Sequence, residues 1–302
     1  MTSFRLEPKA LAALVALWIV WSLNWVVVKE GLADAPPFVF GALRGVPGAL
    51  VLFAVAILMR RPLKPVAPLA LAALGLFQTC GFIVFTNLAL VHGAVGKTTV
   101  LVYTFPFWTL LFAWPLLGER VRGLQWLAVA AAAAGLTLVI EPWHLEGGLA
   151  SKLFAVAGGM SWALAAMVAK WLRARHEIEL LPLTAWQMLF GGLALIAASL
   201  AMPEPAVRWT PQFAFVLAYT TLLSTATAWL LWLYVLDHMP AGIASLSMLA
   251  VPALTVLLSR LAYGERPGMV EAAGMVLIGA SLALLSWLAL RQPRPVPPVA
   301  QE

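Results

Sequence analysis

One arginine, Arg44, lies inside a long apolar run of the sequence, eight residues after Pro36. Eight residues of helix would place it roughly 12 Å into a bilayer, where a charge costs about 3 kcal/mol even on the lenient insertion scale. Some interaction must offset that cost. Two interpretations stay open. The guanidinium pairs with a carbonyl or extends to the interface, or it meets the carboxylate of a substrate in a wet cavity.

The other polar side chains inside the apolar runs are neutral. Amides such as those of Asn24 and Gln78 cannot be satisfied by their own helix, so they need a partner or water. Serine and threonine usually bond to their own backbone, which makes each of them a weaker candidate. The candidate substrate-binding residues combine these groups with deep aromatic side chains: Trp21, Asn24, Arg44, Gln78, Tyr103, Trp162, Ser224, Trp229 and Ser245.

Two of the fourteen tryptophans, Trp21 and Trp162, lie deep in the first apolar run of each half of the chain. We expect them to face each other as walls of a cavity, although a deep tryptophan also serves simply for packing. Neutral polar groups beside aromatic walls suit a zwitterion, because its amine and carboxylate need hydrogen bonds while its side chain stacks. The pattern favours amino acids with apolar or aromatic side chains.

The sequence lacks the residues that several other functions would require. No Asp or Glu lies deep in an apolar run, so a proton-coupled drug exporter has no obvious buried carboxylate. The four histidines lie in loops or at helix ends, and the single cysteine, Cys80, has no partner for a disulfide or a metal cluster. The sequence has no phosphate loop. We therefore predict neither an enzyme nor a bound metal or cofactor.

The elements that position these residues are membrane helices, since 63% of the 302 residues are hydrophobic and only 11% are charged. The formal charge of +6 does not indicate nucleic-acid binding, because the cations lie at the ends of apolar runs. The partners expected are a lipid bilayer and a small-molecule substrate, in a monomer or homodimer. Ten runs are long enough, or nearly so, to cross a bilayer: residues 10–29, 36–59, 66–90, 95–117, 122–141, 149–171, 180–202, 211–236, 241–263 and 268–290.

The sequence repeats itself at an offset of 146 residues, with nine identities between positions 90–120 and 236–266. These include Pro106 with Pro252 and a Gly-Glu-Arg tripeptide at residues 118–120 and 264–266. Because five crossings are an odd number, a second set of five must enter the membrane from the opposite face. The sequence therefore predicts an all-α integral membrane protein of ten transmembrane helices in two inverted five-helix repeats, a design typical of secondary transporters.

The repeats predict three segments: residues 1–145, residues 146–291 and a disordered tail at 292–302. With the N-terminus inside, twelve Lys and Arg residues fall on the inner side and six on the outer. This excess predicts a multi-pass protein of the cell (inner) membrane with both termini in the cytoplasm. A proline in mid-helix removes an amide donor, so Pro106 and Pro252 are predicted to kink their helices and act as hinges.

The repeated motifs resemble the EamA family of the drug/metabolite transporter superfamily over nearly the whole chain. The features that match are Trp21 and Trp162, the two central prolines, and the two Gly-Glu-Arg turns, with Asn24 and Arg44 in the first half. The second half departs from this pattern, with Ala165 instead of the asparagine and Gln187 near the position of Arg44. Tyr103, three residues before Pro106, favours the YddG-like amino-acid exporters within the family.

Each Gly-Glu-Arg tripeptide predicts the end of a helix, with Gly as a left-handed cap and Glu at the N-terminus of the following helix. The function expected is export of apolar or aromatic amino acids by alternating access. The alternatives are a carrier of another metabolite or a drug, including sugar phosphates and nucleotide conjugates, and, more remotely, an intramembrane enzyme. Several cavity-facing Lys or Arg residues would favour the phosphorylated substrates.

Overall fold

The computed structural model describes residues 7–143, 148–239, 244 and 247–291, and all regular structure within these residues is helical. The predicted tail at 292–302 lies outside them. The first half contains α1 (Pro8–Gly31), α2 (Pro37–Leu58), α3 (Pro68–Gly75), the π-helical segment π1 (Leu76–Gly81), α4 (Phe82–His92), α5 (Val95–Val102), α6 (Phe105–Leu117) and α7 (Leu124–Ile140). The second contains α8 (Leu149–Arg175), α9 (Leu180–Ala201), α10 (Pro211–Ala218), π2 (Tyr219–Thr227), α11 (Ala228–His238), α12 (Ala250–Tyr263) and α13 (Met269–Arg291).

Proline and glycine set many of the helix ends. α1, α2, α3 and α10 each begin at a proline, whose missing N–H would be unbonded at that position anyway. Gly118 ends α6 at φ 72° and Gly264 ends α12 at φ 66°, a left-handed conformation that glycine adopts without strain. The prediction that both Gly-Glu-Arg tripeptides stop a helix at the glycine is therefore confirmed.

Eight helical stretches are long and apolar enough to cross a membrane, and α7 and α12 are shorter apolar helices. Their ends lie within a few residues of the predicted runs, except that α12 starts well inside the run at 241–263, where several residues lie outside the described part. Large apolar side chains face outward around the bundle, with Leu69, Leu200 and Met269 more than four-fifths exposed. Such surfaces need a lipid solvent. The chain forms a multi-pass membrane protein.

The helix contacts follow a two-fold pattern. The second helices of the halves, α2 and α9, pack together, and so do the fifth helices, α7 and α13. The first helix of each half packs mainly on the third and fourth of the other: α1 contacts π2, α11 and α12, while α8 contacts π1, α4, α5 and α6. Helices from both halves therefore surround the centre of the molecule.

Glycines allow the closest approaches. Gly135 of α7 and Gly274 of α13 face each other, and a Cβ on either would lie 2.7–2.8 Å from the other's carbonyl oxygen. Gly41 and Gly45 of α2, which form a GxxxG pair, face Leu195 and Gly192 of α9 in the same chain. This pair therefore serves the contact between the two halves.

In each half, one crossing is interrupted by a turn and another contains a π-helical segment. Both features lie at matching places in the two repeats. α5 and α6 are separated at Tyr103 and Thr104, and a turn at Met248 and Leu249 precedes α12. The π-helical segments are π1 and π2, and π1 shifted by the 146-residue offset falls within π2. π-turns of this kind are frequent at functional sites.

Candidate functional site

The break between α5 and α6 differs from the kink predicted at Pro106. Pro106 is the second residue of α6, so it begins a new helix after the chain has turned at Tyr103. On the facing helix α8, a Cβ on Gly159 would lie 2.7 Å from the carbonyl oxygen of Val102. The absence of a side chain there lets α8 lie directly against the break.

The break in the second half is contacted by α1. Pro252, buried, is the third residue of α12, so it too lies in the first turn of a helix. The Ser22 hydroxyl of α1 donates to the Val251 carbonyl at 3.2 Å, and Thr255 donates to the same oxygen at 2.8 Å. In each half, therefore, the first helix of the opposite half covers the proline-bearing break.

Trp21 and Trp162 do not face each other directly, as the sequence led us to expect, because Trp229 lies between them. Its ring centroid is 6.4 Å from that of Trp21 in an edge-on contact and 6.5 Å from that of Trp162 in a stacked one. The Trp21 indole donates from Nε1 to the carbonyl of Ser224 in π2 at 3.2 Å. The two halves are therefore joined by three tryptophans in a row.

The row of tryptophans extends into a larger aromatic cluster. Trp162 also contacts Phe82 at 4.8 Å and Phe105 at 5.9 Å between centroids. Tyr103, at the break, lies 5.8 Å from Phe105, and Trp232 lies 6.0 Å from Trp21. We call this set the aromatic cluster: Trp21, Phe82, Tyr103, Phe105, Trp162, Trp229 and Trp232.

A small cavity beside the aromatic cluster contains Arg44 and Asn24. The Arg44 side chain is buried, and its Nε has no hydrogen-bond partner among the described residues. Oδ1 of Asn24 is likewise buried without a partner. The Phe40 ring lies beside the guanidinium, 5.7 Å from Cζ to the centroid. The cavity lining is Asn24, Trp25, Val28, Arg44, Phe82, Thr86 and Leu90.

The cavity is continuous with the aromatic cluster through Phe82, which belongs to both. The cavity has a volume of ≈ 20 Å³, which is about enough for one water molecule. A larger solute would need the helices around it to separate. The arrangement places one cationic donor group and one amide oxygen next to a set of aromatic faces.

The corresponding residue of the second half, Gln187 of α9, is in a different situation. It is fully buried, and its Oε1 accepts a hydrogen bond from the Thr79 hydroxyl of π1 at 2.8 Å. Within the described part of the chain, the second helix of one half thus carries an arginine whose Nε has no partner, while that of the other carries a glutamine whose amide oxygen is paired.

Two other predicted site residues, Gln78 and Ser224, are not part of the cavity lining. Gln78, in π1, is half-buried and makes no hydrogen bond to a described residue. Ser224 is buried in π2, where its carbonyl accepts from Trp21. Ser245 lies outside the described residues. The structure therefore groups Trp21, Tyr103, Trp162 and Trp229 in the aromatic cluster and Asn24 with Arg44 beside it.

Sequence reasoning missed Phe82 and Thr86, which line the cavity from α4. Together with Leu90 they are spaced four residues apart, so they share one face of that helix. Phe82 carries no signal of its own, because a phenylalanine is common in an apolar run. The four-residue spacing from the polar Thr86 was the available clue.

Comparison with known proteins gives a consistent answer. The profile described as "EamA-like transporter family" matches twice, at residues 8–141 and 150–287. The uncharacterized transporter YoaV of Bacillus subtilis is 26% identical, over 85% of this chain and 90% of the relative. The uncharacterized inner membrane transporter YedA of Escherichia coli K12 is also 26% identical, over 99% of this chain and 98% of the relative.

Two further matches bear on substrate and fold. A riboflavin transporter of Rhizobium johnstonii is 30% identical, over 94% of this chain and 92% of that protein. A solved crystal structure with 22% identity has a TM-score of 0.63 and covers 94% of this chain and 99% of its own, which supports the fold alone. With two family domains and full-length relatives named as transporters, the chain belongs to the EamA-like transporter family and acts in membrane transport of small molecules.

Proposed function

We propose that the protein transports amino acids with apolar or aromatic side chains by alternating access between its two halves. The observation that carries the proposal is that Nε of Arg44 and Oδ1 of Asn24 are buried without a hydrogen-bond partner among the described residues, in one cavity next to the aromatic cluster. A substrate carboxylate would pair with Arg44, and a substrate ammonium would donate to Asn24.

The energetics favour such a ligand. A buried arginine in a membrane protein needs compensation, and no acidic side chain among the described residues provides it. A carboxylate binds guanidinium groups through two parallel, charge-assisted hydrogen bonds. The substrate side chain would then lie against the aromatic faces, which bind apolar and aromatic groups by burial and by edge or stacking contacts.

The helix junctions support ten membrane crossings in inverted halves. Hydrogen bonds and ion pairs join Asp34 to Arg208 and Glu265 to Val95 on one face, and Arg61 to Glu179 on the other. We call the first of these surfaces the Asp34 face; it is formed by the junctions at 32–36, 93–94, 202–210 and 264–268. We call the second the Glu119 face; it is formed by the junctions at 59–67, 118–123 and 176–179. Within the described residues, the junctions at 32–36, 59–67, 93–94 and 118–123 alternate between the two faces, and so do those at 176–179 and 202–210, as ten crossings require.

Orientation follows from charge. The excess of Lys and Arg in the short segments of the Glu119 face supports a cytoplasmic location for that face. The Asp34 face is then external. Alternating access would move the two halves about the row of tryptophans, with the broken and π-helical segments absorbing the change in backbone shape.

A counterflow assay tests the substrate class. Proteoliposomes preloaded with unlabelled phenylalanine should accumulate labelled phenylalanine well above protein-free liposomes. Phenylethylamine, which lacks the carboxylate, should not compete, and 3-phenylpropionate, which lacks the amine, should compete weakly. Vesicles that accumulate no labelled phenylalanine, methionine or threonine above protein-free controls would remove the amino-acid proposal.

Riboflavin is the second candidate, favoured by the name of the Rhizobium johnstonii relative and by the aromatic cluster, on which a flat ring system would stack. Riboflavin has no carboxylate, so it gives Arg44 no counter-ion. The same vesicles, loaded with riboflavin, distinguish the two: riboflavin counterflow without phenylalanine counterflow would favour the flavin.

A further inference from the structure

The N-terminus of α5 is capped by a carboxylate from the other half of the molecule. Glu265, directly after α12, accepts from the backbone N–H of Val95 at 2.7 Å and from that of Gly96 at 3.1 Å. We had expected the glutamate of each Gly-Glu-Arg to cap the helix that follows it. That role belongs instead to Glu271, which accepts from the Gly268 N–H at 3.2 Å.

The cap lies in the middle of a set of polar contacts that join the halves on the Asp34 face. Lys97 of α5 pairs with Glu271 of α13, and both side chains are largely buried. The Tyr263 hydroxyl donates to Glu30 at 2.5 Å, and the Phe38 and Val39 amides donate to Glu204. These contacts join the two halves on the Asp34 face.

The Glu119 face is held less tightly by its charged groups. Its ion pairs among the described residues are Lys170 with Glu119 and Arg61 with Glu179 at 3.3 Å, and the side chains of both pairs are about half exposed. Exposed pairs of this kind contribute little to stability. The two faces therefore differ in how firmly the halves are held together.

The repeat shows how the two faces are related. Glu265 corresponds to Glu119, and Lys29 corresponds to Lys170. On the Glu119 face the corresponding glutamate and lysine pair with each other. On the Asp34 face they are apart: Glu265 caps α5, while Lys29 donates to the carbonyls of Leu90 at 2.5 Å and of Val91 and Gly93 at 3.3 Å. The same two residue types thus occupy two arrangements in one structure.

We propose that Glu265 is the latch of the Asp34 face, and that opening this face transfers its carboxylate from the α5 amides to the Lys29 ammonium. This inference rests on the alternating access proposed above, in which inverted halves exchange conformations. The opened arrangement would be the one that Glu119 and Lys170 adopt here.

The latch is adjacent to the Arg44 cavity. Leu90, whose carbonyl holds Lys29, also lines that cavity, and Asn24 lies on the same helix as Lys29. Release of Lys29 from the end of α4 would therefore loosen a wall of the cavity. Opening of the face and access to the cavity are linked through one short stretch of α4.

Single-cysteine accessibility tests the latch without any assumption about the substrate. In a Cys80→Ser background, the reporter Thr98→Cys replaces a buried residue of α5 one turn beyond the cap, and Thr184→Cys replaces a buried residue of α9 toward the Glu119 face. Glu265→Gln keeps the size of the side chain but removes its charge. The matched control is Glu119→Gln, the same change at the corresponding residue.

With Glu265→Gln, maleimide labelling at position 98 should rise roughly fivefold, the population shift expected for the loss of one helix cap. Labelling at position 184 should not rise, and Glu119→Gln should leave position 98 unchanged. Unchanged labelling at position 98 with Glu265→Gln would overturn the latch. A rise at both reporters, or an equal rise with Glu119→Gln, would also overturn it, since either indicates general loosening.

Discussion

Arg44 in α2 and Gln187 in α9 lie at similar places in the second helices of the two halves, and these helices pack against each other. Gln187 is held by Thr79, whereas Nε of Arg44 has no partner among the described residues. The same contrast exists on the first helices of the halves, where α1 carries Asn24 and α8 carries Ala165 at the matching position. A two-fold scaffold thus carries a one-sided site, and the half with unsatisfied polar groups is where a polar ligand has something to bind.

The largest effect is expected when Arg44 is made to match its counterpart. Arg44→Gln should lower phenylalanine counterflow at least about 30-fold, because loss of one partner of a buried charge pair costs roughly 2–5 kcal/mol. The free energy of unfolding should stay the same or rise, since the substitution removes an uncompensated buried charge. Counterflow and thermal unfolding in detergent measure the two effects. Normal counterflow with reduced stability would give Arg44 a structural role only.

A smaller effect, on selectivity, is expected from the residue that joins the two halves. Trp229→Leu removes the ring between Trp21 and Trp162, so KM for phenylalanine should rise about tenfold while KM for alanine changes less than about twofold. The matched control is Trp126→Leu, on the exposed side of α7. Kinetics with both amino acids give the comparison. Equal changes in the two KM values would show that Trp229 supports the fold rather than the substrate side chain.

The smallest effect on transport is expected at the paired residue of the second half. Thr79→Val leaves Oε1 of Gln187 without its donor and should lower the free energy of unfolding by about 1–2 kcal/mol. KM for phenylalanine should change less than about twofold. The double variant Thr79→Val with Gln187→Leu should recover most of the stability, because neither polar group then remains. A transport loss as large as that of Arg44→Gln would contradict the one-sided site.

Much of the fold follows from the sequence because apolar runs bounded by Pro and Gly define helix ends directly. The helix breaks do not follow from the sequence. A proline such as Pro106 indicates that one backbone hydrogen bond is missing, but it does not distinguish a kink from the start of a new helix. Whether Asn24 and Arg44 line the same cavity depends on how α1 and α2 are rotated about their axes. The place of Trp229 and the cross-half cap by Glu265 depend on packing between halves, which no local pattern contains.

The two π-helical segments also affect the direction of the side chains that follow them. A π-turn spans one residue more than an α-turn, so the residues after it are rotated about the helix axis relative to an uninterrupted α-helix. π1 falls within π2 when shifted by the repeat offset, so both halves have this irregular stretch in the same crossing. Phe82 lies directly after π1 and Trp229 is the second residue after π2, and the π-turns therefore help to set the direction in which these two rings of the aromatic cluster point.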